Sequence, residues 1–152
     1  MSEPPSESPS ESPSEELQAR LVAFVRAFGL HQPDETPCGA PVPVSEAHAL
    51  AVLAERGPLT QTDLVHHLSL GKSTVSRLVD QLVSRGWAGR RTSEHDARCR
   101  LVELTPDGTR TAAGLARARA ARFTRLLDRI PEADRPAVLA ALDTLAEAAR
   151  ER

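Results

Sequence analysis

The sequence of 152 residues has only two cysteines, no tyrosine and no long apolar run. Cys38 and Cys99 are too few for a disulfide scaffold and lack the spacing of a zinc knuckle. No apolar stretch approaches the roughly 20 residues that a membrane-spanning helix needs. The N-terminus is acidic and rich in serine and proline, unlike a secretory signal. We therefore expect a cytoplasmic protein without a membrane partner.

Motifs of common catalytic and metal sites are also absent from the sequence. GKST at Gly71 resembles the end of a phosphate-binding loop, but the glycine that this loop requires five residues earlier is His66. His66 and His67 are neighbours, which on a helix point about 100° apart and cannot face one ion together. No nucleophile elbow occurs. We expect no enzyme, no cofactor and no metal site.

The charge of the chain is unevenly distributed. The formal net charge is -2, but the first 16 residues hold five acids and no base, leaving 16 acids against 19 bases in residues 17–152. Between Gly71 and Arg100, seven bases stand against three acids. Such a local excess of positive charge attracts phosphates, so a nucleic acid is a candidate partner despite the negative total.

The chain divides into a tail and one domain. Residues 2–14 repeat serine, glutamate and proline with no apolar residue, which predicts a disordered acidic tail over residues 1–14. This tail either competes with DNA for the basic surface or only keeps the chain soluble. Residues 15–152 are long enough for a single domain with its own core.

Two helices are predicted before the basic segment. Apolar residues recur at steps of three and four from Glu15 to Gly29, which predicts a first helix that stops at this glycine. Residues 31–44 hold four prolines, the composition of a loop. Ser45 then offers the N-cap of a second helix that ends near Gly57.

Two shorter helices follow the second one. Thr60, with Asp63 three residues later, forms a capping-box pattern at the start of a third helix. After a turn at residues 69–71, a fourth helix runs to Gly86, which we expect in the left-handed conformation as a helix stop.

A hairpin and two further helices complete the predicted order. Residues 87–91 and 99–104 indicate two strands joined by a polar turn, with the register left open because two apolar residues are adjacent in the second strand. The sequence Thr105-Pro106-Asp107-Gly108 is typical of a helix start. This fifth helix extends to about Arg129, and Pro131 breaks the chain before a sixth helix.

The fourth helix separates an apolar face from a polar one. Its apolar residues recur at helical steps and are Val75, Leu78, Val79, Leu82 and Val83. The polar residues near its N-terminal end are Lys72, Ser73, Thr74, Ser76 and Arg77. Short hydroxyls let a helix approach base edges, and Lys and Arg contact phosphates or guanines. A solvated surface helix is the alternative, but the short helix before it and the basic hairpin after it favour DNA binding.

This stretch resembles the winged helix-turn-helix of the multiple-antibiotic-resistance regulator (MarR) family. The matching motifs are LTQTDLVHHL for the brace helix, KSTVSRLVDQLVSRGW for the recognition helix, and DARCRLVELTPDG for the wing and the next helix start. The resemblance covers roughly residues 17–150. It implies a mainly α fold with a small β-hairpin wing, a winged helix-turn-helix lobe at about 45–105, and dimerisation helices at about 15–30 and 106–150.

The resemblance also implies roles for residues of the wing. Arg98 matches an arginine that reaches into the minor groove, and Asp96 matches the acid that orients it. Arg90 and Arg91 either hold phosphates or are solvated strand ends. The full set of candidate DNA contacts is Thr60, Gln61, Thr62, Lys72, Ser73, Thr74, Ser76, Arg77, Arg90, Arg91, Asp96 and Arg98.

Regulators of this family commonly bind a small lipophilic or phenolic effector between the dimer helices and the DNA lobe. The candidate walls of such a site are Phe24, Phe28, His31 and His48, although dimer packing and surface exposure are competing interpretations. Cys38, in the proline-rich loop, is a candidate redox sensor, and Cys99 begins a wing strand. The peroxide-sensing branch of the family has its cysteine in the first helix with tyrosines nearby, and neither is present here.

The sequence therefore predicts a sequence-specific DNA-binding regulator. The resemblance implies a ligand-responsive repressor that binds a pseudo-palindromic operator in double-stranded DNA as a homodimer. The alternatives are a winged-helix module that binds protein, or a redox-responsive regulator that uses Cys38.

Overall fold

The computed structural model describes residues 12–32, 34–96 and 98–150. Within these residues the chain forms six α-helices, one short 3-10 turn at Glu132–Asp134 and three strands. The helices and strands, in chain order, are α1 (Pro13–Phe28), α2 (Val44–Arg56), β1 (Leu59–Thr60), α3 (Gln61–Leu68), α4 (Lys72–Ser84), β2 (Ala88–Thr92), β3 (Arg100–Leu104), α5 (Pro106–Asp128) and α6 (Arg135–Arg150). The predicted fold class, mainly α with a small β wing, is confirmed.

The β-structure is a three-stranded antiparallel sheet in the order β1-β3-β2. Val102 of β3 pairs with Leu59 on one side and Arg90 on the other, and its side chain is only 2% exposed. This register settles the ambiguity in the second strand, because Val102 faces the core and Leu101 is half-buried. The sequence did not predict β1, since two residues are too few to show an alternation.

The core lies where α2, α3, α4 and the sheet meet. The apolar stripe of α4 is fully or almost fully buried at Val75, Leu78, Val79 and Leu82. Burial of each such side chain stabilises the fold by about 1.5–3 kcal/mol. Since one face of α4 packs inward, its polar face points away from the core.

Helix α1 begins at Pro13, two residues before the predicted start at Glu15. Ser12 is its N-cap, and Glu15 completes a capping box, so Pro13 and Ser14 belong to the helix rather than to a disordered tail. The backbone N–H and then the hydroxyl of Ser12 lower the pKa of Glu15. The rest of the predicted tail, residues 1–11, lies outside the described residues. At its other end α1 stops at Gly29, as predicted, and this glycine has a φ of 87°.

The predicted N-cap of α2 is wrong. The cap is Pro43 rather than Ser45, and the helix begins at Val44. Proline has no backbone N–H, so no reciprocal capping bond can form from it to the carboxylate at the third helical position, Glu46. The predicted end at Gly57 is confirmed.

The predicted starts of the third and fifth helices are confirmed. Thr60 and Asp63 form a complete capping box, and Thr105 accepts a hydrogen bond from the Gly108 N–H. Gly86, beyond the end of α4, has the expected left-handed φ of 74°.

The terminal helices keep large apolar side chains in solvent. Leu17, Leu21 and Phe24 of α1 are exposed by more than 40%, although they occupy the apolar face predicted from the sequence. The exposed large apolar residues of α5 and α6 are Phe123, Leu127, Val138, Leu139 and Leu142. The single chain therefore leaves an extended apolar surface uncovered on α1, α5 and α6.

The start of α5 is fixed against the short segment that connects α4 to β2. The backbone N–H of Thr105 donates to the carbonyl of Trp87 over 3.0 Å, and the Thr105 hydroxyl donates to the carbonyl of Gly86 over 2.6 Å. A Cβ atom at Gly108 would lie 1.8 Å from the Trp87 carbonyl oxygen. Only glycine fits there, which gives a physical reason for the glycine that ends the Leu-Thr-x-x-Gly motif.

We predict that Gly108→Ala destabilises the protein by about 1–3 kcal/mol, because backbone atoms of Trp87 must move to admit the methyl group. Urea denaturation followed by circular dichroism measures the change. The matched control is Gly114→Ala in the same helix, where a Cβ meets nothing within 4 Å. Removing a mid-helix glycine there should raise stability by up to about 1 kcal/mol. Equal effects of the two substitutions would contradict the close contact.

Candidate nucleic-acid interface

The N-terminal half of α4 presents the polar surface that the sequence predicted. Lys72, Ser73, Ser76 and Arg77 are exposed, and Thr74 is half-buried. The N-cap is Gly71, which makes no side-chain capping bond. The first amides of α4 are therefore without the side-chain cap that α3 has, and together with the helix dipole they can attract an anion such as a phosphate.

The predicted contacts at the start of α3 divide into two kinds. Thr60 is engaged in the cap: its hydroxyl donates to Asp63 Oδ2 over 2.7 Å and accepts from the Asp63 N–H over 3.1 Å. The Thr60 hydroxyl and then its backbone N–H lower the pKa of Asp63. Gln61 and Thr62 are exposed on the first turn. Thr60 thus sets the start of α3, while its two neighbours face solvent.

The wing tip is a hydrogen-bonded turn. Asp96 Oδ1 accepts the backbone N–H of Arg98 over 2.9 Å, and the backbone carbonyl of Asp96 accepts the Cys99 N–H over 2.9 Å. The Ser93 N–H closes the turn on the carbonyl of Cys99. The carboxylate therefore holds the backbone of Arg98, and the Arg98 side chain is exposed with no ion pair among the described residues.

The two arginines at the base of the wing are paired with acids. Arg90 Nη2 lies 2.5 Å from Asp80 Oδ1, and this ion pair joins β2 to α4. Arg91 Nε lies 2.6 Å from Glu103 Oε2 across the hairpin. Exposed pairs of this kind contribute about 0–1 kcal/mol, so either arginine can exchange its carboxylate for a phosphate at small cost. In the structure the two carboxylates offset the charge of both arginines.

A cavity of about 500 Å³ lies between the end of α1, α2 and α5. Of the predicted effector residues, Phe28 and His48 line it, and Cys38 from the loop lies in its wall. Phe24 and His31 do not line it. Phe24 instead stacks on Phe28 with ring centroids 5.5 Å apart, and His31 is exposed.

The cavity also contains two arginines that the sequence analysis missed. Arg119 and Arg122 of α5 line it, and neither is in an ion pair among the described residues. The Arg122 guanidinium lies 5.5 Å from the centroid of the Phe28 ring, and its buried Nε has no hydrogen-bond partner among the described residues. Their spacing of three residues on a predicted helix was the available signal, since such residues share one face.

The two cysteines are both half-buried free thiols. Cys38 Sγ lies 2.8 Å from the Thr36 hydroxyl. Within the described ranges no cluster of His, Cys, Asp or Glu could hold a metal ion. None of the described helices is long and apolar enough to span a membrane.

Comparison with known proteins agrees with this geometry. The family model of the MarR family matches residues 40–98. The multiple antibiotic resistance protein MarR of Salmonella typhimurium is 38% identical over 52 residues. That match covers 34% of this chain and 36% of the relative, so it spans about a third of the curated protein.

Solved structures share the fold over most of the chain. The PcaV transcriptional regulator of Streptomyces coelicolor has a TM-score of 0.71 at 20% identity, covering 93% of this chain and 100% of that one. FabT of Streptococcus pneumoniae, solved in complex with DNA, has a TM-score of 0.64 at 20% identity, covering 88% and 89%. At these identities the structures establish the fold. The resemblance identified from the motifs is thus confirmed for residues 40–98, the segment that matches the MarR family model.

Proposed function

We propose that the protein is a sequence-specific DNA-binding transcriptional regulator. The observation that supports this most directly is the exposed polar start of α4, with Lys72 and Arg77, beside a wing whose Arg98 has no ion-pair partner among the described residues. The opposite face of α4 is buried, so this polar surface is held in a fixed position. FabT, which has the same fold, was solved in complex with DNA.

Each part of this surface suits a different part of a DNA duplex. The start of α4 enters the major groove, where Arg77 can form a bidentate contact with guanine and Ser73 and Ser76 can approach base edges. Gln61 and Thr62 lie at the start of the brace helix and contact the phosphate backbone. Arg98 at the wing tip reaches the minor groove, whose negative potential is strongest at narrow A/T-rich steps.

The proposed functional unit is a homodimer. The uncovered apolar side chains of α1, α5 and α6 form the surface through which two copies associate. A two-fold dimer presents two copies of α4 to half-sites about 10–10.5 base pairs apart. The operator is accordingly pseudo-palindromic, and we propose that the protein represses transcription from it.

The cavity is the proposed effector site. Phe28 and the alanines of α2 and α5 give it apolar walls, and Arg119 and Arg122 supply positive charge that no acid of the described residues pairs with. A small lipophilic or phenolic molecule that carries a negative charge matches this lining. PcaV, a regulator of the same fold, was solved in complex with its natural ligand.

We predict that affinity for DNA falls steeply with salt and that Arg98→Ala weakens operator binding by about 1–3 kcal/mol at fixed salt. The loss follows from removal of a minor-groove contact, and fluorescence anisotropy with labelled duplexes measures it. Arg129→Ala, an exposed arginine at the far end of α5, is the control and should leave affinity unchanged. A winged-helix module that binds only protein would show no salt-dependent DNA binding at all.

Arg77→Ala tests direct reading of bases. We expect affinity for the operator to fall by about 1–3 kcal/mol, while affinity for random DNA falls less, because a guanine contact carries sequence information. Competition of operator against random duplexes gives both affinities. If the two fall equally, Arg77 contacts only phosphate.

Leu139→Glu tests the dimer. Leu139 is 56% exposed in the isolated chain, and a charge there should convert a dimer of 16.4 kDa chains into monomers. Ala140→Glu places the same charge on another face of α6 and should leave the dimer intact. Sedimentation velocity at micromolar concentration distinguishes the species. A monomeric wild-type protein would refute the proposed assembly.

A further inference from the structure

Glu46 is the one acidic side chain of the described residues that is almost completely buried, with 2% of its surface exposed. It lies in the first turn of α2. A buried carboxylate loses its hydration, at a free-energy cost of several kcal/mol unless other charges offset it. Glu46 therefore needs a partner that offsets its charge, and its burial needs a physical explanation.

The usual partner of a glutamate at this helical position is missing. In a capping box it would accept the backbone N–H of the N-cap residue, as Glu15 does in α1. The N-cap of α2 is Pro43, which has no N–H. Glu46 is thus free to bind another element of the fold.

That element is the end of the recognition helix. Arg85, the C-cap residue of α4, places its Nε 2.8 Å from Glu46 Oε2. The contact is an ion pair by distance, but Glu46 Oε2 receives no aligned hydrogen bond from the described residues. Charge attraction therefore holds the pair together, and it continues to join the two helices when their relative position changes slightly, because it depends little on orientation.

Arg85 is in turn held against the segment that begins the wing. Its guanidinium carbon lies 4.9 Å from the centroid of the Trp87 ring. The carbonyl of Trp87 accepts the Thr105 N–H and abuts Gly108, at the start of α5. The starts of α2 and α5 and the end of α4 therefore meet around Arg85 and Trp87.

The same helices form walls of the cavity. Ala47 and His48, which directly follow Glu46, line it from α2. Ala112 and Ala116 line it from α5. A molecule in the cavity therefore contacts the first turn of α2, the turn that carries Glu46.

We propose that the Glu46–Arg85 ion pair links the cavity to the recognition helix, so that occupation of the cavity changes the position of α4 and its affinity for DNA. This inference rests on the proposed DNA-binding function. Glu46 and Arg85 are positioning residues in this account and need not touch DNA or ligand. Glu46 is buried and the Arg85 side chain is 42% exposed. An ion pair that removes a carboxylate from water is often no more stabilising than an apolar contact of similar size, so we assign the two charges to coupling rather than to stability.

Because the effector is unidentified, the test uses a bulky side chain that occupies part of the cavity. Ala116→Phe adds a ring to the lining of the cavity. Ala113→Phe adds the same ring at a position of α5 that is exposed, as Ala116 is, but does not line the cavity. Both are made in the wild type and in the double variant Glu46→Met/Arg85→Met. Anisotropy titration of a duplex selected by the wild type gives the loss of affinity caused by the ring in each background.

We expect Ala116→Phe to lower DNA affinity about tenfold in the wild type and less than about twofold in the double variant, because the link is gone. Ala113→Phe should have little effect in either background. An equal loss in both backgrounds, or no loss in the wild type, overturns the proposal. A wild type that binds no DNA would instead refute the proposed function. Comparing the ring's effect within each background removes any direct contribution of the Arg85 charge to DNA binding.

Thermal unfolding shows whether the double variant is folded, and we expect a melting temperature close to that of the wild type. Should it fail to fold, Glu46→Gln/Arg85→Gln replaces the two charges by amides and gives the same comparison. Arg85→Lys keeps a cation opposite Glu46 and should retain part of the ring's effect on DNA affinity. If Arg85→Lys abolishes the ring's effect on DNA affinity while the double variant retains all of it, the proposed link through the ion pair is also contradicted.

Discussion

The burial of one face of α4 is the constraint on which the rest of the structure depends. Val75, Leu78, Val79 and Leu82 belong to a core that also contains residues of α2, α3 and the sheet. Because these four residues are fixed on the inner side of the helix, residues 72–77 present their polar side chains outward. The direction of the proposed DNA-binding surface is therefore set by apolar packing on the opposite side.

Ion pairs join separate helices and strands around this core. The Asp80–Arg90 pair joins α4 to the β2–β3 hairpin, and the Glu46–Arg85 pair joins α4 to α2. These arginines hold segments of the protein together, whereas Arg98 is in no ion pair among the described residues. The arginines of the basic surface thus differ in their contacts, and the total charge of the surface does not identify which of them would contact DNA.

The sequence predicted the features that depend on residues close to one another in the chain. The cap at Thr60, the stops at Gly29 and Gly86 and the start of α5 at Thr105 are all local, and all are confirmed. The cap of α2 was wrong because a good capping residue, Ser45, follows closely on a proline that starts the helix instead. The strand β1 was missed because it exists only through pairing with β3.

Less of the site could be predicted from the sequence, because many of its contacts join residues that are distant in the chain. The polar face of α4 follows from helical spacing, but the partners of Arg90 and Glu46 are distant in sequence and appear only in the fold. The cavity arginines needed the packing of α5 against α1 and α2 before their role could be seen. The family model matches only residues 40–98, whereas the likeness to solved structures, which shows the fold, also covers the terminal helices.

Selection of bound fragments from a random pool of double-stranded DNA tests the central claim most directly. The account predicts enrichment of an inverted repeat whose half-sites lie about one helical turn apart, since two copies of α4 related by a two-fold axis read it. Recovery of fragments with no common sequence, or of a motif without internal symmetry, would contradict a dimeric, sequence-specific regulator.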